Sequence, residues 1–280
     1  LLSRRQRQMC IRDRADGNRI EGDTTLWANR VTVEAENVIL DPTRPYRNVA
    51  GGEELRDTLC RESVTYTVRR NNIEVAASHR FCNAAPVTIA IYYGMQSMFE
   101  GETHVLTPGG AYTDWTEVAK ASTFTKQEYP LFRRYVEKNR QGYQSTWLLP
   151  DGLGDHALLD GQDDIFIYAP YGKSYHKLIE NKRMENGDKT CWRGVYTWFE
   201  TPVADDADLL CYEGSAGGHT AVFIDCKRAC KRTLALPGYL DLRHFGAAEQ
   251  NSGIRISAAG RNKLKIKADA PGSCVLLLRE

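Results

Sequence analysis

Hydrophobic and polar residues alternate along most of this chain, and the alternation is densest over residues 73–101. The positions that would share the inner face of a first strand there are Ile73, Val75, Ala77, His79 and Phe81. A period of two is typical of a half-buried β-strand. A polar turn over 82–86 leads into a second strand over 87–93. We therefore predict that these two strands form the central hairpin of the fold.

Further segments with strand patterns follow at intervals of roughly 8–12 residues, separated by turns rich in Gly, Asn and Pro. Residues 175–181 and 190–199 are predicted to form a hairpin around Asn186–Gly187, because Asn-Gly favours the tight turns of hairpins. Two segments, 53–62 and 129–138, have the apolar spacing of short helices. The sequence thus predicts an all-β fold, a large antiparallel β-sandwich with one or two short helices.

The chain has 280 residues, of which 42% are hydrophobic and 26% charged, as in ordinary globular proteins. No linker or repeat interrupts residues 15–280, which we predict to form a single β-sandwich domain. No apolar run approaches the ~20 residues of a membrane helix. Basic residues beyond the N-terminal segment are interspersed with acids, and no glycine-rich phosphate loop occurs. We therefore expect no membrane span, no nucleic-acid partner and no cofactor.

Residues 1–14, LLSRRQRQMCIRDR, carry a charge of +4, against +1 for the whole chain. Three interpretations are open: a nucleic-acid tail, a targeting peptide or a non-native segment. A secretory signal needs an apolar core of about 7–15 residues, which is missing here. The segment resembles the translated sequencing-adapter tails of metagenome-derived reading frames, which implies a non-native tail. The true N-terminus is then missing, and localisation is left open, with a secreted or periplasmic protein among the alternatives.

Seven cysteines lie beyond this segment, and no Cys-x-x-Cys pair or histidine cluster completes a zinc site. Cys211, Cys226 and Cys274 fall in apolar strand-like runs, which indicates buried reduced thiols, with disulfides as the alternative in an exported protein. The acidic segment 151–164 is a candidate calcium loop, but it lacks EF-hand spacing and is typical of a surface turn. We therefore predict no metal site.

Two short segments carry side chains suited to acid–base catalysis. In FEGETH, Glu100, Glu102 and His104 would project from one face of an extended chain, where they could move protons or bind a metal. The alternative there is an exposed edge strand. His79 is either a hydrogen-bonded core histidine or a general acid or base. We predict His79, Glu102 and His104 as catalytic residues.

Aromatic residues are concentrated in the middle of the chain, with 19 of 27 between Tyr92 and Phe199. Core packing is one interpretation, because aromatic rings dominate hydrophobic cores. The other is sugar binding, because flat rings stack on the C–H faces of sugars while neighbouring polar groups bond the hydroxyls. The side chains predicted to bind a substrate are Arg80, Tyr93, Gln96, Trp115 and Trp147.

The segment HRFCN, residues 79–83, resembles the His-x-aromatic-x-Asn strand end of galactose-mutarotase-like proteins. The resemblance implies a β-supersandwich that binds or acts on carbohydrate, with His79 as general acid and either Glu200 or Glu213 as base. We therefore expect a carbohydrate ligand and an acid–base epimerase, lyase or hydrolase from a polysaccharide-utilising bacterium. The alternative is a non-catalytic sugar-binding or structural accessory module of a larger surface or secreted protein.

Overall fold

A computed structural model describes most of the chain. The described residues are 10–43, 47–48, 54–55, 57–98, 102–106, 108–109, 111–112, 114–117, 124–125, 134–149, 164–169 and 173–278. β-strands dominate these residues, and the single helical element among them is the 3₁₀ turn Leu242–His244. The prediction of an all-β fold is confirmed. Within the same residues, no helix is long and apolar enough to cross a membrane.

The strands are numbered here in chain order. They are β1 (Cys10–Ala15), β2 (Asn18–Arg19), β3 (Val31–Leu40), β4 (Arg47–Asn48), β5 (Glu54–Leu55), β6 (Thr58–Arg69), β7 (Asn72–Phe81), β8 (Val87–Met98), β9 (His104–Leu106), β10 (Pro108–Gly109), β11 (Ala111–Tyr112), β12 (Thr116–Glu117), β13 (Phe124–Thr125), β14 (Arg134–Asn139), β15 (Gly142–Leu148), β16 (Asp164–Ala169), β17 (Lys173–Met184), β18 (Lys189–Phe199), β19 (Ala204–Asp205), β20 (Leu209–Ala216), β21 (His219–Cys226), β22 (Cys230–Ala235), β23 (Phe245–Gln250), β24 (Ile254–Ala258), β25 (Lys263–Ala268) and β26 (Gly272–Leu278).

Four of the sheets are large enough to form the layers of a sandwich. A ten-stranded sheet has the order β12-β9-β14-β15-β18-β7-β6-β3-β1-β2. A four-stranded sheet has the order β13-β16-β17-β8, a five-stranded sheet β19-β20-β21-β26-β23, and a three-stranded sheet β22-β25-β24. Two short ribbons, β4-β5 and β10-β11, complete the described strands. The paired strands are antiparallel, as the sequence predicts.

Successive residues of one strand reveal the layering. Trp147 in β15 packs against Phe223 of the five-stranded sheet, whereas the next residue, Leu148, packs with Leu178 of the four-stranded sheet. Because side chains alternate between the faces of a strand, the ten-stranded sheet has a hydrophobic core on each face. A third cluster joins the other face of the five-stranded sheet to the three-stranded sheet. The four sheets therefore stack in the order four-, ten-, five- and three-stranded.

The predicted central hairpin is wrong, although both of its strands are present. β7 pairs with β6 and β18 in the ten-stranded sheet, and β8 pairs with β17 in the four-stranded sheet. The connection over 82–86 crosses between the two layers, and buried Asn83 holds it by donating to the carbonyls of Ala85 (2.7 Å) and Met184 (3.1 Å). Both strands turn an apolar face to the same core, so a crossover gives the same alternation as a hairpin.

The predicted hairpin around Asn186–Gly187 is wrong for the same reason. β17 and β18 are consecutive in the chain but belong to the four- and ten-stranded sheets. Gly187 does occupy a turn with a φ of +94°, a conformation that glycine adopts without strain. Its amide donates to the Phe81 carbonyl at 3.0 Å, and the Phe81 amide donates to the Asp188 carbonyl at 2.9 Å. The two crossovers therefore run side by side and support each other.

Both predicted helices are also wrong where the structure describes them. Residues 134–139 form β14, which pairs with β15 and β9, and residues 129–133 lie outside the described residues. In β14 the adjacent residues Tyr135 and Val136 are both buried, because each sheet face is covered by another layer. Consecutive buried positions break the alternation on which strand recognition depends. Residues 58–62 of the other predicted helix belong to β6.

Three other predictions concern the N-terminal segment, the acidic segment 151–164 and the cysteines. β1 includes residues 10–14 of the predicted non-native segment, and it pairs with β3 from Cys10 opposite Glu36 to Ala15 opposite Val31. That the segment is non-native stays a prediction. The acidic segment 151–164 lies outside the described residues except for its last position. The three cysteines in apolar runs are fully buried and free, as predicted; they are Cys211, Cys226 and Cys274.

Candidate functional site

A cleft of about 1320 Å³ opens beside the turn between β14 and β15 and extends to the end of β18. Its lining combines three kinds of side chain that recur in ligand sites: carboxylates, amides and aromatic rings. The carboxylates are Glu102, Glu137 and Glu200, and the rings are Tyr143, Trp198 and Phe199. The amides are Asn71, Asn139, Gln141 and Gln144. A concave site with rings and a few convergent polar groups is the usual setting for a small ligand.

One row of residues crosses this cleft in register. Glu137 in β14 lies opposite Gln144 in β15, and Gln144 lies opposite Trp198 in β18. Residues that face each other across antiparallel strands project from the same side of the sheet. Exposure rises along the row, from 3% at Glu137, through half-buried Gln144, to 40% at Trp198. The cleft therefore has a buried acid at one side and an open indole ring at the other.

Glu137 is the most perturbed carboxyl group in the cleft. Its Oε2 is buried and accepts no hydrogen bond from any described residue. Burial raises the pKa of Glu137 from 4.5 to about 8, because removal from water disfavours the charged form. At neutral pH this side chain is therefore mainly a neutral carboxylic acid that has a proton to donate.

A network of buried hydroxyl groups lies on the same face of the sheet, next to Glu137. Tyr135 precedes Glu137 by two residues and shares a hydrogen bond with Ser174. Ser97 and Thr146, both buried, are joined at 3.2 Å between their hydroxyl oxygens. Burial, with the nearby Glu137 carboxyl as a second cause, raises the pKa of Tyr135 well above its ordinary value. The hydroxyl groups are therefore neutral, and their hydrogen bonds link the ten-stranded sheet to the four-stranded sheet beside Glu137.

A single carboxylate, Asp205, holds two of the residues that line the cleft, Lys138 and Tyr143. Asp205 accepts hydrogen bonds from Trp115 Nε1 (3.2 Å), Tyr143 Oη (2.9 Å), Lys138 Nζ (3.1 Å) and Lys227 Nζ (2.9 Å). Burial alone would disfavour ionisation, but these four donors outweigh it and lower the pKa of Asp205 to about 2. The Lys138 ammonium also lies 4.3 Å from the centre of the Trp115 ring. Trp115 is therefore engaged through both its indole N–H and one ring face.

Comparison with known proteins leaves the function to be argued from this geometry. No protein-family model matches the chain, and no curated protein matches it. Among solved structures, one match is a protein described as a "putative aldose 1-epimerase" from Klebsiella pneumoniae subsp. pneumoniae MGH 78578. The two share 8% identity with a TM-score of 0.34, and the match covers 61% of this chain and 51% of the other. The chain thus spans about half the length of that protein, and a match this distant assigns no function.

The three predicted catalytic residues do not come together. Glu102 lines the cleft, where it is 72% exposed and lies 3.0 Å from the Arg140 guanidinium. His104 lies in β9, in register with Lys138. His79 lies in β7, which is four strands away from β9 in the ten-stranded sheet. Strand register places His104 in line with Phe199 of β18 and His79 opposite Thr190 of the same strand. These two positions are nine residues apart, which is about 30 Å at the rise of a strand.

His79 has the surroundings of a core histidine. It is 5% exposed, and its Nε2 lies 2.8 Å from Glu62 Oε2. Glu62 also accepts a hydrogen bond of 2.8 Å from Asn37, so that three neighbouring strands contribute one residue each to a polar row. The ring meets Tyr92 edge-on at 5.2 Å between centroids. The role of His79 as a general acid stays a prediction, and the structure places this residue between two sheets rather than in the cleft.

The predicted substrate-binding residues are also dispersed. Arg80 is exposed on the face of β7 opposite to His79. Tyr93 and Gln96 lie in β8, where the Tyr93 ring is 4.6 Å from that of Tyr175. The Gln96 amide donates to the Tyr196 hydroxyl at 3.0 Å, and this hydroxyl donates to the Gln96 carbonyl at 3.1 Å. None of these three predicted residues lines the cleft.

Trp147 requires a correction. It is 3% exposed and packs edge-on against Phe223 at 5.4 Å between ring centroids. A sugar needs an open ring face, so this indole cannot serve as a platform in the folded protein. The physical reason is that β15 lies in the middle of a layered stack and has no solvent-facing side at this position. Trp147 belongs to the aromatic core that the sequence offered as the alternative.

Sequence reasoning misses the two residues that characterise the cleft, Glu137 and Trp198. Glu137 falls in a predicted helix, and Trp198 is one ring among many in the aromatic-rich part of the chain. The sequence carries one usable signal: Glu137 follows the apolar pair Tyr135–Val136 directly. That signal points to a buried acid only if the segment is a strand covered on both faces, and the covering layers come from distant parts of the chain.

Proposed function

We propose that this protein binds carbohydrate in the cleft and acts on it by acid–base catalysis, with Glu137 as general acid. The observation that supports this most is the in-register row of buried Glu137, half-buried Gln144 and exposed Trp198. An open indole ring suits the C–H face of a sugar, and a side-chain amide suits its hydroxyl groups. The reaction class is an epimerase, lyase or hydrolase, each of which requires proton transfer.

Glu137 meets the requirements of a general acid better than any other described side chain of the cleft. A general acid must hold its proton at working pH and be able to regain it, so a pKa near neutrality is optimal. The pKa of about 8 at Glu137 satisfies this condition. Enzymes that use two carboxyl groups commonly raise the pKa of one by burial and leave the other solvated and ionised.

Two further carboxylates are candidates for the base. Glu102 and Glu200 line the same cleft, and both are exposed. Glu102 is predicted as catalytic from the sequence, and Glu200 is one of the two bases that the mutarotase resemblance implies. The ion pair between Glu102 and Arg140 keeps this carboxylate beside the turn between β14 and β15. A solvated carboxylate in the same cleft as a neutral acid allows the two roles to be divided.

The test combines glycan binding with turnover. A glycan array and calorimetry identify the ligand, and Trp198→Ala should weaken its binding about tenfold, equivalent to about 1.4 kcal/mol. Trp27→Ala is the matched control, because Trp27 is 103% exposed and precedes β3 in the chain, and β3 lies towards the edge of the ten-stranded sheet opposite to the cleft. Equal affinities for the two variants would refute the cleft as the binding site.

The catalytic role is tested separately on the identified glycan. Glu137→Gln retains the shape and neutrality of the protonated acid, so it should bind the glycan normally and lose turnover by about 10²–10⁴-fold. Mutarotation, reducing-end release and formation of an unsaturated product distinguish the three reaction classes. Normal turnover by Glu137→Gln would refute the general acid. Tight binding without turnover by the wild-type protein would instead support the non-catalytic sugar-binding module.

A further inference from the structure

The outer face of the three-stranded sheet is a regular grid of cations and small residues. β25 is the central strand, and its alternation KLKIKA buries Leu264, Ile266 and Ala268 in the core and exposes three lysines. The exposed lysines are Lys263, Lys265 and Lys267. They stand in one column, about 6.7 Å apart from one to the next at the rise of two strand residues.

Neighbouring strands add to this column in register. Lys267 lies between Lys231 of β22 and Arg255 of β24, and Lys265 lies between Thr233 and Ser257. All four flanking residues are exposed. The face therefore presents five cations and two hydroxyl groups, and no carboxylate lies within the grid. We call these seven residues the lysine face; they are Lys231, Thr233, Arg255, Ser257, Lys263, Lys265 and Lys267.

Most of this charge is uncompensated. Asp269, just beyond the end of β25, pairs with Arg255 and lies 3.4 Å from Lys267. Lys231, Lys263 and Lys265 make no ion pair with any described residue. Like charges opposite or near one another on one sheet face are destabilising. Lysine commonly protects the exposed edges of sheets, but β25 is not an edge strand, so edge protection does not account for its three lysines.

We propose that the lysine face binds a linear polysaccharide that carries one carboxylate on each repeating unit, lying along β25. The column of lysines offers a row of single cations to a chain of single anions, and the flanking hydroxyls of Thr233 and Ser257 can bond the sugar hydroxyls. The face contains no aromatic ring on which a nucleic-acid base could stack. The inference rests on the proposed function in taking the ligand to be a glycan, and it adds a second, charge-selective surface.

The test uses polygalacturonate as the carboxylated probe and dextran as the neutral one, in affinity electrophoresis and calorimetry. The triple variant Lys263→Gln, Lys265→Gln, Lys267→Gln should bind polygalacturonate at least tenfold more weakly than the wild type. Binding by the wild type should fall steeply with added salt, and dextran should not bind this face. These exposed side chains can be replaced without touching the core, and circular dichroism with thermal unfolding confirms that the variant folds.

A charge-matched control comes from the ten-stranded sheet. Arg19, Arg61 and Lys189 are exposed on β2, β6 and β18 of this sheet, so replacing all three by Gln removes the same charge elsewhere. Equal loss of binding in the two triple variants would overturn the proposal in favour of a general charge effect. Tighter binding of duplex DNA or of anionic vesicles than of polygalacturonate would also overturn it.

The two proposals fail in different ways. The triple lysine variant should keep wild-type affinity for the glycan that the cleft binds, because the lysine face lies in another sheet and does not line the cleft. If the lysine variant binds polygalacturonate normally while Trp198→Ala loses glycan binding, the lysine face is refuted and the cleft stands. If Trp198→Ala binds the glycan normally while the lysine variant loses polygalacturonate binding, the cleft is refuted and the lysine face stands.

Discussion

Replacing Glu137 by Gln offers a direct measurement of the buried acid on which the proposed chemistry depends. The side chain is 3% exposed, and its Oε2 lies buried without a hydrogen bond from a described residue. Burial raises its pKa from 4.5 in the unfolded chain to about 8 in the folded protein. Glutamine is close in shape to the protonated acid but cannot ionise, so the variant isolates the effect of this single group.

The sign of the effect follows from proton linkage. A group with a raised folded pKa contributes fully to stability below its unfolded pKa of 4.5, and that contribution is lost as the pH rises towards the folded pKa of about 8. Within this window the unfolded chain loses its proton while the folded chain retains it. Each pH unit then lowers the free energy of unfolding of the wild type by about 1.4 kcal/mol relative to Glu137→Gln. Between pH 5 and 8 the difference should reach roughly 4 kcal/mol.

The assay is urea denaturation of both proteins at several pH values between 5 and 8. The free energies of unfolding should be similar at pH 5 and diverge with rising pH, with the variant the more stable at pH 8. Glu102→Gln serves as control, because this side chain is 72% exposed and its replacement should change stability by no more than about 0.5 kcal/mol. A difference between Glu137→Gln and wild type that stays within about 1 kcal/mol at all pH values would show that Glu137 ionises normally. The reasoning for a general acid would then be wrong.

Three further predictions concern the layered core. Trp147→Ala should lower the free energy of unfolding by about 3–5 kcal/mol without weakening glycan binding, because the buried ring packs against Phe223; denaturation and calorimetry measure the two effects. Gly214→Ala should cost about 1–3 kcal/mol, because its Cβ would lie 2.9 Å from Asn72 Oδ1 in the facing ten-stranded sheet; an unchanged urea midpoint would contradict the close approach of the two sheets. Asp225→Ala should cost about 3–5 kcal/mol by removing the carboxylate that neutralises fully buried Arg134, and replacing both by apolar residues should recover most of that loss.

The sequence by itself determined the class of structure and the inward face of many strands. The alternation in β7 predicted that Val75, His79 and Phe81 face a core, and all three are buried. This works because the period of two is a local property: each side chain reports whether its own side of the strand is covered. A continuous apolar run is also a local signal, and Cys211 and Cys274 are buried within such runs.

Only the tertiary structure decided which strands are neighbours. Alternation records burial and not partners, so the crossovers at 82–86 and 185–188 could not be distinguished from hairpins, although they place consecutive strands in different layers. The same limit applies to β14, where burial on both faces removed the alternation and led to a predicted helix. Glu137 and Gln144 belong to one hairpin, but Trp198 follows Gln144 by 54 residues and joins them only through strand register. The pKa of Glu137 depends on the burial that this meeting creates, which no stretch of sequence contains on its own.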